Sequence, residues 1–297
     1  MNILIAGASG LIGQALSNHF EQSGHRVIPL VRNSSGQPFC WEPEQGVINL
    51  DDSIDLDVVI NLAGPGVADR RWSSARKKQL LESRVNCTRI LSQALAQRKA
   101  APKVFISASA IGFYGPRDDR PVDESSASGS GFLAEISRQW ESATAAAEAA
   151  GIRTVHARFG IVLTKKGGAL ARMLLPFKLG IGGIIGTGEQ FMSWIGMRDL
   201  IGVIEFLIEN QELSGAINLV SPNPVTNREF TRVLGKVLRR PTVIPMPALQ
   251  ARILFGEMAE EILLTGARVL PTRLETGGFK FAAPDLEQAL IAAFEEG

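Results

Sequence analysis

Seven residues near the start constrain this chain most: Gly7-Ala8-Ser9-Gly10-Leu11-Ile12-Gly13. They follow a short apolar run, residues 2–6, and open a segment in which Leu11, Ile12, Ala15, Leu16 and Phe20 recur at helical spacing. A strand, a tight glycine turn and an amphipathic helix make the opening of a βαβ unit that seats a dinucleotide. Gly7 permits the turn, Gly10 lets the backbone approach a diphosphate, and Gly13 lets helix and strand pack closely. The phosphates then rest on the unpaired N–H groups of the helix N-terminus. A glycine triplet alone says little, but this context makes it specific. The expected cofactor contacts are Gly7, Ser9, Gly10, Leu11, Ile12 and Gly13.

The spacing is GxxGxxG rather than GxGxxG. A second strand is expected over 26–31 and runs into Arg32. No acid stands at its tip, where a carboxylate would hold the ribose hydroxyls of NAD. A cation there favours a 2′-phosphate, so NADP is expected in preference to NAD. The competing reading of Arg32 is an ordinary exposed loop arginine. Asp51 and Asp52 end the stretch 47–52, with an adenine contact and a plain loop role both open.

Further apolar runs predict strands over 57–64, 103–109, 152–159, 215–220 and 242–247. Helical spacing covers about 74–98, 131–149, 197–209 and 226–239, and a helix ends the chain. Strands and helices alternate, which implies a parallel sheet covered on both faces. The fold class is α/β: a Rossmann doubly wound parallel sheet with a smaller C-terminal substrate-side region. Residues 1–165 are read as the NAD(P)-binding domain, with later segments free to return to it. Residues 166–297 are read as the substrate side, with a distinct segment at about 248–297.

At 297 residues and 45% hydrophobic composition, the chain can bury a large core. A net charge of +1 points to neither nucleic acid nor an anionic membrane. Cys40 and Cys87 are the only cysteines, and His19, His25 and His156 lie far apart, so no metal site is expected. The start lacks a signal-peptide pattern and no apolar run suits a bilayer span, so a cytoplasmic setting is expected.

GASGLIG at 7–13, NLAG at 61–64 and ISASAIGFYG at 106–115 together resemble the short-chain dehydrogenase/reductase superfamily, in its extended branch of sugar-nucleotide epimerases and dehydratases. The resemblance implies that Leu62, Ala63 and Gly64 line the cofactor. It also implies that Asn86 is the branch's helix asparagine, and that Phe159, after Arg158, lies near the nicotinamide. SWIGMRDL at 193–200 resembles the branch's IHVxD segment, with Gly196 in place of the histidine. NLAGPGVADRRW, SWIGMRDL, NLVSPNPVTN and GEMAEEILLTGARVLPTRL bring the whole chain closer to bacterial epimerase-family proteins of the YfcH type. This implies a small-molecule substrate, sugar- or nucleotide-linked.

In that superfamily a Ser, a Tyr and a Lys share proton transfer beside hydride transfer, and the Tyr and Lys lie four apart on one helix. At that spacing the helix after the fifth strand offers Phe132 and Ile136, neither of which can move a proton. Lysine is absent from 104–164. The remaining polar candidates for catalysis are Tyr114, the only tyrosine, and Ser109 and Ser107. Glu135 would reach the cleft only with a shifted register, and Asp123-Glu124 reads as solvated charge. In the later glycine-rich part, Lys178 and Arg198 are candidate anion ligands and Trp194 a candidate stacking platform, each with a structural reading beside it. Two functions stay open: an NADP-dependent epimerase or oxidoreductase with a non-standard acid–base group, and a non-catalytic dinucleotide-binding regulatory or interaction protein.

Overall fold

The computed structural model describes residues 1–32 and 37–295. The strands are β1 (Asn2–Ala6), β2 (Arg26–Arg32), β3 (Phe39–Glu42), β4 (Val47–Leu50), β5 (Val58–Asn61), β6 (Val104–Ala110), β7 (Thr154–Phe159), β8 (Ile161–Leu163), β9 (Phe191–Met192), β10 (Trp194–Gly196), β11 (Gly215–Leu219) and β12 (Val225–Thr226). The helices are α1 (Leu11–Gln22), α2 (Ser74–Ala96), α3 (Phe132–Ser142), α4 (Ala145–Ala149), α5 (Gly168–Lys178), α6 (Met197–Glu209), α7 (Asn227–Leu238), α8 (Ala248–Phe255), α9 (Thr272–Thr276) and α10 (Leu286–Glu295).

Eight strands form the main sheet in the order β11-β7-β6-β5-β1-β2-β3-β4. All neighbours run parallel except the β3–β4 hairpin at the edge. This is the expected α/β Rossmann sheet. Its central strands are apolar throughout because both faces are covered. Ile3 and Ile5 pack on one side with Leu16, Phe20 and the α6 residues Leu200, Val203 and Ile204. Leu4 and Ala6 pack on the other with Leu91, Leu95 and Phe105. Each such fully buried aliphatic side chain stabilises the fold by ~1.5–3 kcal/mol relative to exposure. A second core joins α5, α7 and α10 to the β8–β10 pair.

Three expected elements differ. The helix over 131–149 is two helices, broken at Ala143–Thr144. Ser92 on α2 donates to the Thr144 carbonyl and accepts the Ala147 N–H, both at 2.9 Å, so a neighbouring side chain shares the backbone groups at the break with a tight turn from the Ala147 N–H to the Thr144 carbonyl at 3.0 Å. The run 242–247 is not a strand and makes only an isolated bridge, Ile185 with Met246. Pro241, Pro245 and Pro247 deprive it of ladder donors. The strand expected over 57–64 ends at Asn61, whose side-chain oxygen accepts the Ala63 N–H at 3.2 Å and turns the chain. Among the described residues no helix is long and apolar enough to cross a membrane.

Candidate functional site

The sheet's connections leave β1 in one direction to β2 and return on its other side at β5, which makes a crevice at the carboxyl ends of these strands. A cleft of about 1210 Å³ lies there. Its walls are the turn Gly7–Gly10, the end of β2, the segment 41–45, the turn Leu62–Pro65 and one face of α2.

The glycine turn packs so closely on its own chain that Gly7 and Gly13 leave no space for a β-carbon. Gly7 has φ +83°, and a β-carbon there would lie 2.9 Å from the Leu62 carbonyl. A β-carbon on Gly13 would collide with the Gly7 carbonyl and lie 2.8 Å from the Ala8 Cα. Gly10 begins α1 without a side-chain cap, so the N–H groups of Leu11, Ile12 and Gly13 are not satisfied by a capping side chain. The Leu11 and Ile12 side chains pack down onto the core while their backbone serves the turn. Uncapped donors, a helix dipole and absent β-carbons fit a diphosphate.

Arg32, Leu62, Ala63 and Gly64 also line the cleft, with Asn86 and Cys87 of α2. Burial raises the Cys87 thiol pKa, opposed by the neighbouring Arg32 guanidinium. Phe159 is half-buried and packs on the core. Asp51 and Asp52 sit outside the cleft lining. The Asp52 carboxylate pairs with Arg98 at 3.3 Å, and the Asp51 carboxylate accepts the Ser53 N–H at 2.8 Å.

The three polar candidates on β6 and its following turn lie inside the protein. The Tyr114 ring is fully buried. Its hydroxyl donates to Asn218 Oδ1 at 2.7 Å and accepts from Arg158 Nη1 at 2.9 Å. Burial pushes its pKa up to about 12, against the opposing pull of Arg158 and Asn218. Ser109 Oγ donates to Glu141 Oε1 at 2.6 Å. Ser107 Oγ is buried with no hydrogen-bond partner. Arg158 links Tyr114 to Ser109: it pairs with Glu141, the acceptor of the Ser109 hydroxyl, and stacks 3.5 Å from the Phe113 ring centre. Burial opposes its charge, yet Glu141 holds its pKa above the ordinary value.

Ile136 is buried and Phe132 half-buried on α3. The Phe132 ring meets Trp72 edge-on at 5.1 Å, and Lys77 Nζ lies 4.9 Å from its centre. Lys77 in turn pairs with Glu257 at 2.8 Å. The Glu261 carboxylate accepts the N–H groups of Phe132 and Leu133 at 3.1 and 3.2 Å, capping α3 from a distant part of the chain. Gly131, at φ +100°, leaves room for that carboxylate. Glu135 faces solvent and pairs with Arg138 and Gln139.

Other expectations change. Glu124 is not solvated charge: its carboxylate accepts the Asn218 N–H at 2.9 Å, and burial raises its pKa. Trp194 is fully buried in the second core and offers no stacking face. Asp199, beside Arg198, turns its carboxylate to the N–H groups of Ala282 and Ala283 at 2.7 and 3.1 Å. Lys178 ends α5. The 41–45 wall and the α2 residues Gln79, Glu82 and Ser83 join the cleft without having been expected there, and Lys78, expected on a solvated helix face with Arg76 and Lys77, lines it too. Their signal was faint: α2 is polar along the cleft, which reads as an ordinary solvated face.

The profile of the NAD dependent epimerase/dehydratase family matches residues 3–219, and that of a domain of unknown function, DUF1731, matches residues 246–293. The epimerase family protein Mb2239 of Mycobacterium bovis is 43% identical over 290 residues, covering 97% of this chain and 96% of that protein. The epimerase family protein YfhF of Bacillus subtilis is 38% identical over 296 residues, covering 98% and 97%. The crystal structure of human epimerase family protein SDR39U1 (isoform 2) with NADPH superposes with a TM-score of 0.88 at 32% identity, covering all of both chains. With its glycine cradle at the head of a parallel sheet, the chain belongs to the NAD dependent epimerase/dehydratase family.

Proposed function

We propose that this protein binds NADPH in the β1–β5 cleft and acts as an epimerase-like oxidoreductase on a small polar molecule, sugar- or nucleotide-linked. The observation that carries the cofactor reading is the cradle of Gly7, Gly10 and Gly13 facing Leu62–Gly64, with Arg32 at the tip of β2. The 2′-phosphate would lie beside Arg32, and the diphosphate on the N–H groups of Leu11, Ile12 and Gly13. The human relative crystallised with NADPH supports the choice. When bound, the cofactor supplies hydride chemistry.

The chain's own residues would then orient the substrate and handle its proton without the superfamily's Tyr and Lys. Tyr114, with its hydroxyl spent on Asn218 and Arg158, is a positioning residue in this reading. It holds the turn after β6, where Ser109 stands at the strand end with its hydroxyl donating to Glu141. A second reading, binding without turnover, is favoured by the packing of Phe132 against Trp72 and the burial of Ile136.

Calorimetric titration with NADPH and NADH, after stripping any co-purified nucleotide, tests the cofactor reading. Selective NADPH binding is expected, and absence of binding by either nucleotide would overturn it. Exchange of label from 4-tritiated NADPH into a panel of nucleotide sugars and small carbonyl compounds then separates the two readings.

A further inference from the structure

α8 turns its large apolar side chains outward. Ala251 is fully buried, while Leu249, Ile253 and Leu254 are exposed, Leu249 by 66%. α5 does the same toward its end, where Leu175 and Leu179, one turn apart, both face solvent. The segment 180–186 joins the two helices. Met246 N–H donates to the Ile184 carbonyl at 2.8 Å, and Gly186 N–H donates to the Met246 carbonyl at 2.9 Å. Gly183 lies so close to the Ile244 carbonyl that no β-carbon fits there. This pairing brings Ile181 to the same edge as Val243 and Ile244, all three exposed, and leads into α8 at Pro247. Elsewhere among the described residues only Met1, Val47 and Ile291 are large exposed apolar side chains. Scattered apolar residues need no explanation, but a continuous apolar face on a folded chain marks a contact.

The charges around this face indicate what covers it. Residues 149–188 and 230–256 contain no Asp or Glu. Lys178, Arg239 and Arg240 are exposed at one edge. At the other, Arg71 leans on Gly256, where a β-carbon would lie 3.1 Å from its Nε. Among the described residues none of these four cations pairs with a carboxylate. The acids bordering the face are taken: Asp69 by Arg172, Glu257 by Lys77 and Glu260 by Arg252. Arg239 ends α7 in left-handed backbone at φ 53°, where glycine is the ordinary choice, so a cation is kept there against the backbone preference. The net charge of +1 averages this local imbalance away. A second copy of the chain would set like-charged rims against each other across a two-fold axis, which disfavours it as the occupant. No helix among the described residues is long and apolar enough to span a bilayer, so the contact is with a surface.

We propose that the α5–α8 face docks on a membrane surface rich in anionic lipid. The Leu and Ile side chains enter the boundary between headgroups and acyl chains, and Lys178, Arg239, Arg240 and Arg71 lie against the headgroup phosphates. The proposal is independent of the cofactor reading, since none of these residues lines the β1–β5 cleft.

The test is co-sedimentation of the full chain with vesicles of phosphatidylcholine alone and of phosphatidylcholine mixed with phosphatidylglycerol. Binding to the mixed vesicles is expected, at least about tenfold tighter than to the neutral ones and weakened by salt. Leu249→Asn with Ile253→Asn removes apolar contact. Arg239→Asn with Arg240→Gln removes charge, and asparagine tolerates the left-handed backbone. Each double variant is expected to weaken binding by about tenfold or more, with thermal unfolding little changed because all four side chains are exposed. If the apolar variant fails to fold, Leu175→Asn with Leu179→Asn repeats the comparison on α5. No binding to the mixed vesicles, equal binding to both kinds, or binding that either double variant retains would overturn the proposal. So would a dimer in light scattering that Leu249→Asn with Ile253→Asn dissolves, which assigns the face to a second copy.

Discussion

Arg158 and Glu141 form a two-pronged pair inside the protein, Nε to Oε1 at 2.7 Å and Nη2 to Oε2 at 2.8 Å, with side chains only 5% and 12% exposed. The pair ties β7 to α3 and supports both Ser109 and Tyr114. Removing one partner leaves a charge with no compensation, so Glu141→Ala is expected to cost about 3–5 kcal/mol. Urea unfolding of the variant checks this. A loss below about 1 kcal/mol would show that water replaces the carboxylate there.

Tyr114 offers a direct optical test, because it is the only tyrosine in the chain. Its pKa is pushed up from 10.0 to about 12 by burial. The folded state thus favours the neutral phenol. The associated stability is complete below the unfolded pKa and is lost as pH rises through the folded one, between pH 10 and about 12. Tyrosinate absorbance after a rapid alkaline jump should appear near pH 12 in the folded protein and near 10 once unfolded. A folded-state transition at 10 would place the hydroxyl in water.

Tyr114→Phe leaves Asn218 Oδ1 and Arg158 Nη1 each short of a partner. A loss of about 1–3 kcal/mol in stability is expected, with NADPH affinity little changed. A variant of parental stability would mean that the hydroxyl is not bonded as described.

Arg32→Ala removes the cation at the tip of β2. NADPH is expected to weaken by about 10- to 100-fold and NADH by much less. Equal weakening of both nucleotides would remove Arg32 from recognition of the 2′-phosphate.

Gly13→Ala drives a β-carbon into the backbone of Gly7 and Ala8. The turn must open, so NADPH binding should be lost, with a stability cost of about 1–3 kcal/mol. Intact binding would show that α1 can shift away from β1 cheaply.

The main strands and helices were legible because each carries its own period of apolar residues. The missed detail lies where one segment overrules another. Thr144 reads as mid-helix until Ser92, 52 residues away, donates to its carbonyl and accepts the Ala147 N–H. Glu124 reads as solvated until the Asn218 N–H finds it. Glu261 gives no hint in its own neighbourhood that it caps α3.

The sequence by itself determined the dinucleotide cradle and the parallel sheet, because glycine spacing and apolar periodicity are local properties. It also put Phe132 and Ile136 four apart on one predicted helix. Only the tertiary structure decided what surrounds those positions. Lys77 comes from α2, and Glu257 and Glu261 from beyond α8. Side chains so far apart in the chain meet only when the sheet, α2, α3 and the C-terminal segment pack together, and no local pattern records such a meeting.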